Sequence, residues 1–313
     1  AAGGTSEDLS TTVLYEPAGM TRTSSRFDDY MAAKDRAVPH VEENGTWVAK
    51  YQRDPDAQTA AGGVSSNAND MARWMRLQLG EGSLDGKQII ASEPLDESHL
   101  PEIIASQPRS PASPAGFYGL GYNVGYDASA HLRLSHSGAF ALGAGTNFVM
   151  LPADQLGIVV LTNGQPDGLA EAISATFVDL VQKGEPSRDW LDTYEKIFEE
   201  LGKEPLSPTD FSKPPADPKT PIAASAITGT YTNPYYGPIT IKEDGGSVQL
   251  VMGPKDQSFA MKPYDGNVWS YETRGENASG LHAATFVVGP DGNATSVTLE
   301  HFDKNGLGTF TRQ

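Results

Sequence analysis

The sequence predicts an α+β fold in which an antiparallel sheet with packed helices is followed by a small all-β barrel. Alternating apolar segments between residues 117 and 162 indicate antiparallel strands joined by short turns. Apolar residues recur at helical spacing over residues 70–79 and 169–182. The last part of the chain, from residue 222, contains about eight short alternating segments, a spacing typical of a small barrel or sandwich.

Composition excludes several classes of function. The chain has 313 residues, 38% of them hydrophobic, which is enough to build real cores. Its 40 acidic and 23 basic residues argue against nucleic acid or an anionic membrane surface as a partner. The absence of cysteine excludes disulfides and thiol nucleophiles, and no apolar run is long enough to predict a membrane span. Since the first residues show neither an initiator Met nor a signal pattern, we expect a processed or artificial amino terminus.

The first elements are predicted from local signals. Residues 7–15 fit the end of a helix that the Pro and Gly within 16–21 stop. Residues 30–44 show no sustained period and are predicted as surface loop. Asn67 or Asn69 fits an N-cap for the helix predicted over 70–79, whose mostly apolar face indicates packing against a core.

The central sheet is predicted next along the chain. Residues 80–115 are proline-rich and without a strong period, as expected of a loop or short helices around a groove. Residues 117–126 alternate aromatic or aliphatic residues with glycine, which predicts a strand that other backbone or a ligand approaches closely. Three more strands are predicted over 131–136, 146–151 and 156–162.

The domain boundary is predicted from composition. A helix over 169–182 is expected to return across the sheet, and a more charged helix to follow it. Residues 202–221 combine several prolines with Lys and Asp, which predicts a stiff polar linker. The linker would separate a first domain, residues 1–201, from a barrel domain, residues 222–313.

A family resemblance is carried by His136-Ser137-Gly138 and by the run over 143–163 that follows it. The triplet resembles the third motif of serine β-lactamases and penicillin-binding proteins, usually Lys-Thr-Gly, which many esterase and D-peptidase relatives write as His-x-Gly. Residues 17–21 and 61–66 extend the similarity. The resemblance is to this superfamily with its class C β-lactamase, D-peptidase and esterase members, and it implies the C-terminal portion of an antiparallel-sheet α/β serine hydrolase domain. It also implies a secreted or periplasmic location.

The resemblance implies roles for the motif residues. In the family the motif lies on an edge strand and forms one wall of the active-site groove. Gly138 would leave room for a ligand along the strand, and the backbone N–H of Ala139 would donate to an oxyanion. His136 would orient a substrate carboxylate or join the general-base network, and Ser137 would contact substrate.

The same residues also have structural interpretations. A lone histidine near a strand end is more often a structural hydrogen-bonding group than a catalytic one, and it is the flanking match that favours catalysis for His136. Tyr118 and Tyr122 fit either substrate-binding positions in the groove or simple packing against the sheet.

The nucleophile motif of the family is not found. Its members carry Ser-x-x-Lys at the start of a helix and a second motif, Tyr-x-Asn, both upstream of the region that residues 17–20 match. No lysine here has a serine three residues before it, and Tyr231-Thr232-Asn233 lies in the predicted barrel. We therefore expect an N-terminal catalytic segment to be missing from this chain, which could not hydrolyse by the family mechanism alone.

Other catalytic or binding patterns are also not found. The sequence has no Gly-x-Ser-x-Gly nucleophile elbow, no His-Glu-x-x-His and no phosphate-binding glycine loop. His131 and His136, five apart on a strand, would point to opposite faces. No metal or other cofactor is expected.

The barrel segment resembles a lipocalin-like module often appended to these hydrolases, beginning at residues 229–237. For this domain, packing against the hydrolase domain is favoured over ligand binding.

Two functions follow. The first is a serine hydrolase that forms an acyl-enzyme and acts on small-molecule or peptide amides and esters, such as D-amino-acid peptides, esters or β-lactams. An imidazole in place of an ammonium attracts a β-lactam carboxylate less, which favours a peptidase or esterase. The alternative is a non-catalytic binding or structural descendant. Docking of the missing segment predicts an exposed apolar surface on the sheet beside His136, whereas the alternative predicts a closed core covered by polar residues.

Overall fold

The computed structural model describes residues 3–127, 129–203, 207–275 and 278–313. The chain divides into two compact units, Ala1–Lys203 and Glu204–Gln313. The division falls inside residues 202–221, whose role as a linker remains a prediction.

The first unit is built on an antiparallel sheet. Over the described residues of this unit the sheet has six strands, in the order β10-β9-β8-β7-β6-β5. Two short ribbons accompany it. The strands of the unit are β1 (Val41–Glu43), β2 (Thr46–Val48), β3 (Ser83–Leu84), β4 (Lys87–Gln88), β5 (Ile103–Ser106), β6 (Gly116–Tyr118), β7 (Asn123–Tyr126), β8 (Leu132–Phe140), β9 (Ala144–Leu151) and β10 (Leu156–Thr162).

Helices precede, interrupt and follow this sheet. They are α1 (Ser6–Leu9), α2 (Glu16–Ala18), α3 (Phe27–Ala32), α4 (Thr59–Gly62), α5 (Ala68–Leu79), α6 (Ser92–His99), α7 (Leu169–Lys183) and α8 (Trp190–Lys203), with a π-helix at Ser10–Tyr15 between α1 and α2. Of the two predicted caps, Asn67 caps α5, since its side chain accepts a hydrogen bond from Asp70 N, whereas Asn69 lies inside the helix.

The start of the chain differs from its prediction in two places. The helical segment continues through Pro17, because proline is tolerated in the first turn of α2, and it ends at Gly19 in the left-handed conformation. Residues 30–44, predicted as loop, contain the end of α3 and strand β1. Short elements of this kind carry too few residues to show a period in sequence.

The run 117–126, predicted as one strand, forms a hairpin instead. Strands β6 and β7 pair with each other, and the chain turns between them with Gly121 at φ 95°. The predicted close approach is that of backbone, because a Cβ on Gly119 would lie 2.6 Å from Leu100 O and 2.7 Å from Ser98 O.

Helices cover both faces of the sheet. On one face, Met75 of α5 packs with Leu134 of β8 and Met150 of β9. On the other face, Val178 of α7 packs with Val149 of β9. Full burial of a side chain such as Leu134 or Met150 stabilises the fold by about 1.5–3 kcal/mol. The sheet strands that carry the candidate site are therefore held from both sides.

The second unit confirms the predicted barrel. Over the part of the unit that is described, eight antiparallel strands close on themselves, with β11 pairing to β18. The interior is filled by large side chains, including Tyr231, Tyr271, Phe286 and Phe310. Short helix α9 (Ala224–Ile227) precedes the strands, which are β11 (Gly229–Asn233), β12 (Gly237–Asp244), β13 (Ser247–Met252), β14 (Gln257–Asp265), β15 (Val268–Glu272), β16 (Leu281–Val288), β17 (Ala294–Leu299) and β18 (Thr309–Arg312).

Within the described ranges, none of the helices combines the length and apolar character that crossing a membrane requires.

Candidate active site

Strand β8 carries the predicted motif and has one partly open edge. It pairs with β9 from Leu134 to Phe140, whereas β7 pairs with it only as far as Ser135. Among the described residues no strand continues the pairing on the β7 side from His136 onward. The backbone of the motif is therefore available to another chain segment or to a ligand along that edge.

The imidazole of His136 is oriented by two aromatic side chains. Its Nε2 lies 3.1 Å from the hydroxyl of Tyr118 on β6. Its ring stacks on Phe148 of β9, with centroids 6.5 Å apart and planes 19° from parallel. The half-buried ring is thus held in one orientation by a hydrogen bond and by packing, as a positioned acid, base or binding group requires.

The side chain of Ser137 points to the face of the sheet opposite to His136, because successive residues of a strand alternate between faces. Its Oγ accepts a hydrogen bond from Asn147 Nδ2 at 2.9 Å, and the same amide reaches the carbonyl of His136 at 3.3 Å. Asn147 is only 8% exposed, and its Oδ1 is buried without a hydrogen-bond partner among the described residues. The sequence signal that could have identified Asn147 is an amide residue directly before the apolar run 148–151 of a predicted strand.

Packing against β9 explains the glycine of the motif. A Cβ on Gly138 would lie 2.5 Å from Thr146 Oγ1 and 3.3 Å from the ring of Phe140. The position therefore excludes a side chain whether or not a ligand lies along the strand. Ala139 is exposed, and donation by its N–H to an oxyanion remains a prediction.

The structure separates the two tyrosines. Tyr118 is half-buried and contacts His136, whereas Tyr122 is 8% exposed and stacks on Trp74 of α5 with planes 6° from parallel. The Tyr122 hydroxyl donates to Gln78 Oε1 at 3.0 Å, and burial raises the pKa of Tyr122 to about 12. Of the two interpretations of Tyr122, substrate binding and packing against the sheet, its burial fits packing.

An arginine lies at the far end of β8. The guanidinium of Arg53 sits 4.0 Å from the centroid of the Phe140 ring, and its Nη1 donates to Gly62 O at 2.7 Å. Sequence reasoning did not identify Arg53, because nothing in the local pattern of residues 50–56 relates it to β8.

A cavity of about 410 Å³ lies at the other end of β8. It is lined by Leu132 and Leu134 of that strand, with Gln78, His99 and Gln155 among its polar side chains. None of the predicted site residues lines it. We therefore place the candidate site at the open edge of β8 and not in this cavity.

The described side chains provide groups for binding and proton transfer. Among them, no three His, Asp or Glu residues are grouped so as to hold a metal ion. The imidazole of His136, the phenol of Tyr118 and the guanidinium of Arg53 are polar side-chain groups that lie along β8.

Two family models match the chain. The model described as Beta-lactamase matches residues 1–183, and a domain of unknown function, DUF3471, matches residues 213–309. No curated protein matches the sequence.

Solved structures show similarity as well. The octameric penicillin-binding protein homologue from Pyrococcus abyssi is 19% identical, with 95% of this chain and 59% of that chain covered and a TM-score of 0.51. A class C β-lactamase from Rhodobacter sphaeroides is 18% identical, with coverage of 64% and 55% and a TM-score of 0.41. The C-terminal domain of penicillin binding protein Rv0907 is 31% identical over 34% of this chain and 100% of that chain, with a TM-score of 0.29. The chain spans 59% and 55% of the two longer structures.

Proposed function

We propose, from the premise that the chain belongs to the β-lactamase family, that it forms the C-terminal part of a serine hydrolase acting on amide or ester bonds. The nucleophilic serine and its lysine would come from a segment outside these 313 residues, since Ser-x-x-Lys does not occur among them. The complete enzyme would work outside the cytoplasm, as many family members do.

The open edge of β8 is the observation that supports this proposal. The serine Oγ would attack the carbonyl carbon of a substrate lying along that edge, and its proton would pass to the neighbouring base. The backbone N–H of Ala139, an exposed residue, would donate to the resulting oxyanion. The leaving alcohol or amine would depart with the proton, and water would then hydrolyse the acyl-enzyme.

His136 would act beside the reacting carbonyl. Its hydrogen bond to Tyr118 and its stacking on Phe148 hold the ring in one orientation without help from substrate. A pre-oriented ring stabilises a transition state without paying for reorganisation when the charge develops.

A second observation that supports the presence of an additional segment is an exposed apolar surface elsewhere on the first unit. Strand β10 is the last strand of the sheet, and no described strand pairs with its outer edge. Leu156 and Leu161 of β10 are exposed, as are Leu169, Ile173 and Leu180 of α7. An unpaired strand edge next to exposed apolar side chains is a surface that another strand or helix covers in a stable protein. The surface lies two strands away from β8, and not directly beside His136 as expected.

A peptidase or esterase is favoured over a β-lactamase for the complete enzyme. The motif supplies an imidazole where the family usually supplies an ammonium, so attraction for a β-lactam carboxylate is weaker.

Labelling with a fluorescent penicillin tests the proposal. We expect the full gene product to be labelled at the serine of a Ser-x-x-Lys motif, identified by mass spectrometry. The 313-residue chain should remain unlabelled by this reagent. If neither protein is labelled and neither hydrolyses D-amino-acid peptides, the non-catalytic alternative replaces this proposal.

Replacing His136 in the full gene product should reduce turnover without unfolding it. We expect His136→Ala to lower kcat/KM by about 100-fold, a typical contribution of a positioned acid or base. The matched control is His131→Ala, because His131 is exposed one residue before β8 and its imidazole lies 3.6 Å from the carboxylate of Asp127. Unchanged kinetics in His136→Ala, with the same melting temperature as the control, would remove His136 from the site.

A further inference from the structure

A serine, two histidines and a glutamate meet at one end of the barrel. Ser279 lies in the connection between β15 and β16, His282 is on β16, and Glu300 and His301 form part of the 3-10 turn after β17. The Oγ of Ser279 is 2.7 Å from His282 Nε2 and 2.9 Å from His301 Nδ1. On the other side of its ring, His282 Nδ1 lies 3.5 Å from Glu300 Oε2.

The carboxylate decides the direction of the hydrogen bonds. The carboxylate of Glu300 favours the His282 tautomer with the proton on Nδ1. An unprotonated Nδ1 would place its lone pair next to the negative charge of Glu300, which is repulsive. With the proton on Nδ1, Nε2 is an acceptor, so Ser279 donates its hydroxyl proton to His282. The Oγ of Ser279 then accepts a hydrogen bond from His301 Nδ1–H. His301 thus directs a donor at the oxygen that would act as the nucleophile.

Glu300 is held in place by two further hydrogen bonds. Its Oε2 accepts from the backbone N–H of Ala283 at 2.8 Å, and its Oε1 accepts from Ser207 Oγ at 2.9 Å. His282 is 2% exposed on a barrel strand, with no hydrogen-bond partner for Nδ1 among the described residues. The contact with Glu300 is slightly long, as contacts of catalytic groups often are before substrate binds.

The serine is reachable from solvent. Ser279 is half-buried, while Ala278 and Gly280 on either side are exposed. A buried base behind a reachable hydroxyl is the arrangement that activates a serine nucleophile. If Ser279 only fixed the loop, one hydrogen bond to His282 would be enough. The second imidazole, of His301, and the carboxylate of Glu300 beside His282 would not be needed.

We propose that Ser279, His282 and Glu300 form a second nucleophilic centre, on the barrel, that cleaves small esters. The Oγ of Ser279 bonds to the carbonyl carbon of the ester while its proton moves to His282 Nε2. The ester C–O bond breaks, and the alcohol leaves with that proton. Water, deprotonated by His282, then attacks the acyl-serine and releases the carboxylic acid, returning the proton to Ser279. Glu300 is a positioning residue that holds the His282 ring and its tautomer.

Labelling of the 313-residue chain with a fluorophosphonate tests this centre. Attack by Ser279 would form a P–O bond and release fluoride, with the proton passing through His282 to the buffer. We expect the label on the peptide that contains Ser279 and no label at that site in Ser279→Ala. Ser258→Ala is the matched control, because Ser258 is an exposed serine on β14 of the same barrel. An unlabelled Ser279 in the wild-type chain would overturn the proposal.

Two variants separate catalysis from support of the fold. His282→Gln should slow labelling of Ser279 by about 100-fold, the usual contribution of a general base. Since His282 is buried, the melting temperature of the barrel must be measured in parallel. Glu300→Gln should slow labelling and move the proton resonance of His282 Nδ1–H upfield. Unchanged labelling rates in both variants would contradict the proposal. Labelling of Ser279 by the fluorophosphonate is independent of penicillin labelling of the full gene product, so either proposal can fail without the other.

Discussion

Replacing Gly143 by alanine is expected to lower the free energy of unfolding of the first unit by about 3–5 kcal/mol. Gly143 has a φ of 120°, which L-residues rarely adopt. A Cβ there would also lie 2.7 Å from His40 O and 2.9 Å from Pro39 C, and closer still to His40 N. These are backbone atoms, so no side-chain movement relieves the overlap.

Gly121→Ala is the control for this variant. Gly121 also has positive φ, 95°, but nothing lies within 4 Å of a Cβ built on it. It should show only the conformational cost of about 1–3 kcal/mol. Urea unfolding of the 313-residue chain, with hydrogen exchange assigning the loss to the first unit, measures both variants. Equal losses would show that the contact with residue 40 contributes nothing.

Gly143 matters for the candidate site because of where it lies. It is in the turn that joins β8 to β9, packed on the backbone of His40. His40 N donates to Asn163 O at 2.7 Å, and Gln165 N donates to His40 O at 2.8 Å. The turn is thus tied to the segment that follows β10, so the variant should also displace the end of β8.

The sheet and barrel were predictable because their signals are local. Strands β9 and β10 and helices α5 and α7 each show an apolar period along consecutive residues, which a sequence displays directly. The hairpin of β6 and β7 was not predicted because alternation continues through its turn. Only the conformation of Gly121 reveals the reversal.

The candidate site was predictable only in part, for a related reason. His136, Ser137 and Gly138 are consecutive and resemble a family motif, so they can be recognised from the sequence alone. Asn147 and Arg53 reach β8 from other elements, and such contacts follow from strand register and from packing. The barrel cluster is similar, because nothing in the sequence relates Ser279 to Glu300.

Asp179→Ala should lower the unfolding free energy by about 3 kcal/mol, since it removes the buried acceptor of several hydrogen bonds and an ion pair. Asp179 on α7 is 4% exposed. Its carboxylate accepts from Trp190 Nε1 at 2.7 Å, from Ser187 N at 2.8 Å and from Ser187 Oγ at 2.6 Å, and Lys183 pairs with it at 2.7 Å. One buried carboxylate therefore joins α7 to the start of α8.

The control is Asp192→Ala, which removes an exposed pair with Lys196 on α8. Surface ion pairs of this kind contribute little, so this variant should unfold almost as the wild-type chain does. Urea unfolding with hydrogen exchange of α7 and α8 compares them. A similar small loss in both variants would show that the four contacts of Asp179 do not stabilise the helix pair.

The pH dependence of this contribution has a definite sign. Burial alone would raise the pKa of Asp179, but the hydrogen bonds from Lys183, Ser187 and Trp190 outweigh it and hold that pKa well below its usual value. Because the pKa is lower in the folded state, the unfolded state takes up the proton first as pH falls. The stabilisation is therefore complete above the unfolded pKa of about 3.9 and is lost as pH falls below it. Asp179→Asn carries no titrating group, so its stability difference from the wild-type chain should be large at neutral pH and shrink in acid. A difference that stays constant would mean that the charge of Asp179 does not hold α7 and α8 together.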